Sequence, residues 1–236
     1  MTNSITIFKR EMISYFYSPI AYIVIAVFLL SSGYFFARIL ALSQQATLMY
    51  SLANTQVILS ILAPVITMRL LSEEVKSGTI EMLMTAPVTD FEVVFGKFLA
   101  ALCLYLVMLA PTLLYVVFLG WVGDPDMGPI ISSYIGLALM GAMFVSIGLL
   151  MSALTRNQIV AGVLGIVTLV ILFYLGFAVS GTDGWYVPIL QYVGTYDHWE
   201  PFTKGLVDTK DVIYYVSITV LCLFITVRTL ESSKWR

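Results

Sequence analysis

The chain has 236 residues, 60% of them hydrophobic and 11% charged, with a formal net charge of −2. A soluble domain carries roughly 45–50% apolar and about 25% charged residues, so this balance excludes an ordinary water-soluble globule and makes lipid the expected solvent. No basic run exists to displace counterions from phosphates, which argues against nucleic acid as a partner.

Residues 1–18 open the chain. Ile5, Phe8, Met12, Tyr15 and Phe16 recur at helical spacing, with Lys9, Arg10 and Glu11 gathered largely on the other side. The pattern predicts an amphipathic interface helix, centred on residues 8–12, that lies along a membrane surface until the chain turns at Ser18-Pro19.

Six apolar stretches follow, each able to cross about 30 Å of hydrocarbon, which takes about 20 helical residues. The expected spans are 19–37, 54–71, 98–121, 130–154, 158–179 and 212–230. The first follows a structured-looking segment and lacks an A-x-A pattern after its apolar core, so a cleaved signal peptide is not expected. The last is the weakest, because only Val212 to Val227 separate Asp211 from Arg228, whose side chain can snorkel to the headgroups. Six spans put both termini on one side. That side would hold Lys9, Arg10, Arg69, Lys76, Lys97, Arg156, Arg228, Lys234 and Arg236, leaving Arg38, Lys204 and Lys210 opposite. The positive-inside rule then makes both termini cytoplasmic. Gly136, Gly141, Gly148, Gly162 and Gly165 suggest close helix contacts, and Pro64 and Pro111 deform the second and third spans. Cys103 and Cys222 lie in apolar runs and read as small hydrophobes.

Residues 72–97 separate spans two and three. Ser77-Gly78 is read as the start of a short helix, with Glu81 placed to meet its first-turn N–H groups and Ala86-Pro87 ending it. Thr89-x-x-Glu92 is a capping-box pattern opening a second helix, along one side of which Phe91, Val94, Phe95 and Phe98 enter span three. The short helix bears Ile80, Met82, Leu83 and Met84, an apolar surface that needs a cover, either a partner or the protein's own body. Residues 180–211 carry Trp185, Tyr186, Tyr192, Tyr196, Trp199 and Phe202. Val187–Val193 is too short to span, so it is re-entrant or interfacial; the aromatics serve either as an outer gate or as a plain aromatic belt.

The run Glu-Glu-Val-Lys-Ser-Gly-Thr-Ile-Glu-Met-Leu-Met-Thr-Ala-Pro-Val (73–88), followed by Glu92 and Gly96-Lys97, resembles the signature of ABC-2 type transporter permeases. The segment His198-Trp-Glu-Pro-Phe-Thr-Lys-Gly-Leu-Val-Asp-Thr-Lys-Asp211 is similar to the one before the last span in that family, and Phe8-Lys-Arg-Glu-Met12 through Ser18-Pro19 also fits. The small size resembles the gliding-motility-associated subgroup. The resemblance implies an all-α membrane protein with six transmembrane helices, an N-terminal interface helix, a cytoplasmic coupling helix after span two, and short re-entrant helices before span six. It implies a dimer of permeases, homo- or heterodimeric, bound to two separate ABC ATPase subunits, with an additional membrane subunit as a further partner. By the same carry-over Glu73, Glu74, Gly78, Thr79, Ile80, Glu81, Met82, Leu83 and Met84 contact the ATPase.

These residues contain no Walker A pattern: Gly96-Lys97 continues into Phe98 and lacks the upstream Gly and downstream Ser or Thr that cradle phosphate. No cofactor or catalytic role is expected in this chain; ATP and Mg belong to the partner ATPase. Gradient-driven carriers place ionisable groups at mid-membrane, whereas Arg38, Arg69 and Arg228 sit near span ends. His198, the only histidine, reads as structural, and Asp197, Glu200, Asp208 and Asp211 read as solvated caps rather than a metal site. The expected function is the permease subunit of an ABC exporter in the cytoplasmic (inner) membrane. The rivals are a mechanical or assembly scaffold driven by the ATPase, and a stand-alone carrier or channel.

Overall fold

The computed structural model describes residues 2–43, 48–78, 88–179 and 184–233, and among them every regular element is helical. Helix α1 (Thr2–Tyr17) ends at Ser18, and α2 (Pro19–Ser43) begins with proline, where a missing N–H costs nothing. Helix α3 (Met49–Thr67) passes through a turn into α4 (Ser72–Ser77). Helix α5 (Asp90–Leu109) continues through a 3-10 turn at Ala110–Thr112 into α6 (Leu113–Val122); the irregular turn falls at Pro111. Next come α7 (Met127–Leu154) and α8 (Gln158–Val179). The short α9 (Val187–Val193) and α10 (Thr195–Thr203) precede α11 (Thr209–Ser233).

Six of these rods are long and apolar enough to cross a membrane: Pro19–Leu42, Met49–Ser77, Asp90–Trp121, Met127–Leu154, Gln158–Gly176 and Thr209–Ser232. At about 1.5 Å per residue the shortest, with 19 residues, reaches about 28 Å. Helices α3 and α7 form the centre, and α2 and α11 wrap them with outward apolar side chains such as Ile23, Leu30, Val220 and Phe224. Such a surface suits lipid, not water.

Close approach in the centre depends on α7 glycines. A Cβ at Gly136 would lie 2.8 Å from the Phe202 ring, and one at Gly141 would run into the ring of Tyr105. Tyr105, fully buried, donates its hydroxyl to the Leu137 carbonyl at 3.0 Å, so its polar tip is satisfied inside the bundle. Hydroxyls elsewhere turn back onto their own helix: Thr55 to the Ser51 carbonyl at 2.9 Å and Thr226 to the Cys222 carbonyl at 2.7 Å. This self-satisfaction lets Thr55 lie buried in α3, which starts at Met49, where the sequence reading begins its span at Asn54.

Gly78, at φ +71°, ends α4 in the left-handed conformation that glycine adopts at least cost, and the short helix expected after it lies outside the described residues. Glu73 and Glu74 in the first turn and Lys76 in the last complement the dipole of α4. The apolar residues of α1 differ in burial. Tyr15 and Ile7 are buried against the protein, whereas Ile5, Ile13 and Phe16 are exposed. A helix between a bundle and a membrane surface has two apolar neighbours, and its apolar residues divide between them.

Candidate functional site

Three elements meet at the end of the bundle that carries the termini: α1, α4 and the first turns of α5. The start of α5 is set by Thr89, whose hydroxyl accepts the Glu92 N–H at 3.3 Å while the Glu92 carboxylate accepts the Thr89 N–H at 3.1 Å. The capping box satisfies donors that the first turn leaves free. One turn on, Gly96 lets α1 approach closely: a Cβ there would lie 2.9 Å from the Ser4 carbonyl oxygen and 3.0 Å from Ile7. Lys97 then meets both neighbouring elements.

Its ammonium, 1% exposed, donates to Glu11 Oε1 at 2.9 Å and to Glu74 Oε1 at 2.8 Å. Arg10, half exposed, reaches the same two oxygens at 3.0 and 3.2 Å. Two cations and two carboxylates thus tie α1, α4 and α5 into a charge-neutral knot. Burial by itself pushes the Glu11 carboxyl up; the Lys97 ammonium and the Arg10 guanidinium outweigh it and hold the group below its ordinary value. Beside the knot, the Tyr15 hydroxyl donates to the Ile66 carbonyl at 2.9 Å, and the Arg69 guanidinium lies 4.8 Å from the Tyr15 ring centroid. Burial raises the Tyr15 phenol. The Ser152 hydroxyl on α7 accepts the N–H groups of Leu71 and Ser72, both at 3.1 Å, and donates to the Met68 carbonyl at 2.9 Å. It caps α4 from a different helix.

Of the residues expected at the coupling surface, Glu74 joins this knot, Glu73 is exposed and Gly78 caps α4. Thr79, Ile80, Glu81, Met82, Leu83 and Met84 lie outside the described residues. In the interface helix Arg10 and Glu11 are in the knot, Lys9 is exposed, and Phe8 and Met12 are half-buried against the core. Sequence reading missed Lys97 as the hub. The available signal was a lysine flanked by Phe95 and Phe98 in an apolar helix, a position where a cation needs a partner.

At the opposite end Trp185, Tyr186 and Tyr192 are exposed and Tyr196 is half-buried, its ring 6.0 Å from that of Phe173. Trp199 and Phe202 are fully buried, ring centroids 6.5 Å apart, in the gap left by Gly136. Ser132 and Ser133 on α7 donate to the Phe202 carbonyl at 2.6 and 3.3 Å, fastening the last turn of α10. The structure therefore brings two of the six aromatics into the core and leaves Trp185 and Tyr186 against each other at the surface.

The expected acidic group also divides. Glu200 and Asp208 are about half exposed, but Asp211 is not a solvated cap. It is 0% exposed and lies 2.6 Å from His198 Nδ1. Sequence reading missed the burial because an acid two residues into a helix looks like a cap; the only histidine supplies its counter-charge.

Six membrane-crossing helices with two short helices before the last define a multi-pass membrane protein. A family model described as ABC-2 family transporter protein matches residues 5–202, and the chain belongs to that family. It is a permease component of an ABC transporter, not the ATPase itself. No curated protein matches the chain.

Proposed function

We propose that this chain is the membrane subunit of an exporter in the cytoplasmic (inner) membrane, driven by a separate ABC ATPase present in two copies beneath a homo- or heterodimer of permeases. ATP and Mg stay on the ATPase. In this reading both termini and residues 72–97 face the cytoplasm, and Glu73, Glu74 and residues 78–84 receive the ATPase. The outer aromatics gate the far side, and the chain's small size resembles the gliding-motility-associated subgroup.

The observation that supports coupling is the Lys97 knot. The segment between Gly78 and Val88 is anchored on one flank by Glu74 and on the other by Lys97, and both are bound to α1. A displacement imposed on that segment is thereby delivered to span three and the interface helix together. The test is to co-purify Glu81→Lys and Leu83→Asp variants with the ATPase and to measure transport in proteoliposomes. The expected result is weaker ATPase retention and lost transport with folded spans. Unchanged retention and unchanged transport overturn the reading.

A further inference from the structure

His198 and Asp211 form a site whose proton count is fixed by its geometry. His198 Nε2 lies 2.8 Å from the carbonyl oxygen of Tyr192, an atom that only accepts, so Nε2 carries a hydrogen. His198 Nδ1 lies 2.6 Å from Asp211 Oδ1, and that contact needs a proton between the two atoms, whichever of them holds it. The imidazole stacks on Tyr214 with centroids 3.8 Å apart and planes 17° apart, and Tyr192 meets its edge at 5.1 Å. Asp211 Oδ2 is buried and has no hydrogen-bond partner, so the carboxylate depends on the histidine for its stabilisation. If one proton leaves, either Nδ1 and Oδ1 face each other with lone pairs, or the remaining hydrogen moves to Nδ1 and the Tyr192 contact is lost.

We propose that His198 and Asp211 are a single-proton binding site that latches α9 and α10 onto the first turn of α11. The latch is closed with the shared proton bound and opens when it is lost. The neighbourhood supplies no competing charge among the described residues. Helices α3, α7, α8 and α9 carry no Asp, Glu, Lys or Arg. Tyr192 faces the imidazole from α9 and Tyr214 from α11; Tyr215, buried on α11, adds only a phenol. Lys210 turns to Asp208 at 3.4 Å, Glu200 to Lys204 at 2.6 Å, and Asp197 lies against Gly176 of α8. This site lies at the end of the bundle opposite the Lys97 knot and does not depend on the exporter reading.

His198 is the chain's only histidine, so a selectively labelled imidazole reports this site alone. The full chain, free of any histidine tag and in lipid nanodiscs, is followed by ¹⁵N NMR and by amide exchange across about pH 5 to 8. The expected result is ring ¹⁵N signals that show Nε2 protonated and Nδ1 sharing a proton with Asp211, and that change as this shared proton is lost with rising pH. Exchange in Thr195–Thr203, corrected for its intrinsic pH dependence, then increases about tenfold or more at the same midpoint. Asp211→Asn, whose amide donates to Nδ1 of a neutral ring, should keep exchange slow and flat with pH. His198→Gln, which likewise needs no shared proton, should show the same flat profile. Ring ¹⁵N signals that never change with pH overturn the proposal, as do signals that change while exchange stays constant, or either variant opening with the wild-type profile.

Discussion

Lys97 Nζ lies 2.8 Å from Glu74 Oε1, so the two flanks of the segment between spans two and three are joined at their base. Gly78 ends α4 on one side and the Thr89 cap starts α5 on the other, with an ion pair as the crosspiece. Glu11 shares the same ammonium, which adds the interface helix to the joint.

Removing the ammonium leaves two carboxylates around a nearly buried space with only the half-exposed Arg10 as counter-ion. Breaking a buried pair by deleting one partner costs about 3–5 kcal/mol, whereas replacing the whole set by apolar or neutral groups is close to neutral. Lys97→Ala should therefore lower unfolding stability in detergent by about 3 kcal/mol. The combination of Glu11→Gln, Glu74→Gln and Lys97→Met should recover most of that loss. Equilibrium unfolding of the two variants beside wild type checks both statements.

The knot also has a defined pH response. The folded-state Glu11 carboxyl is held below its ordinary value of 4.5, so its stabilising contribution is complete above that value. It is lost as pH falls through the lower folded value. The stability difference between wild type and Glu11→Gln should be constant at neutral pH, shrink in the acid range and vanish below the folded value. Thermal unfolding at a series of pH values measures that difference directly.

Gly141 and Gly120 make a paired test of packing. A Cβ at Gly141 would collide with the Tyr105 ring, while nothing lies within 4 Å of one at Gly120. Gly141→Val should destabilise by about 1–3 kcal/mol through overpacking, and Gly120→Val should change stability by less than about 0.5 kcal/mol. Unfolding midpoints in one detergent provide the comparison.

Ser152 holds the junction of α3 and α4 with three hydrogen bonds from outside that segment. Ser152→Ala removes the acceptor for the Leu71 and Ser72 N–H groups, a loss comparable to that of a helix cap, about 1 kcal/mol. Amide exchange at Leu71 and Ser72 should speed up about fivefold, with the centre of α7 unchanged.

The six rods can be read from the sequence because long apolar runs have few other uses, and the Thr89–Glu92 cap because its partners are three residues apart. Lys97 was opaque: its carboxylates come from 86 and 23 residues away, and no local pattern announces a meeting of three elements. Asp211 was misread for a related reason, since a helix-start acid next to Lys210 looks solvated until tertiary packing closes α10 over it.

In the proposed mechanism the ATPase pushes against the segment between Glu74 and Lys97. Photo-crosslinkers placed singly at Met82, Leu83 and, as a control at the opposite end, Ile189 can be tested in the purified complex with the ATPase. Crosslinks from Met82 and Leu83 and none from Ile189 are the predicted result. A complex that crosslinks only from Ile189, or from none of the three while remaining intact, would contradict it.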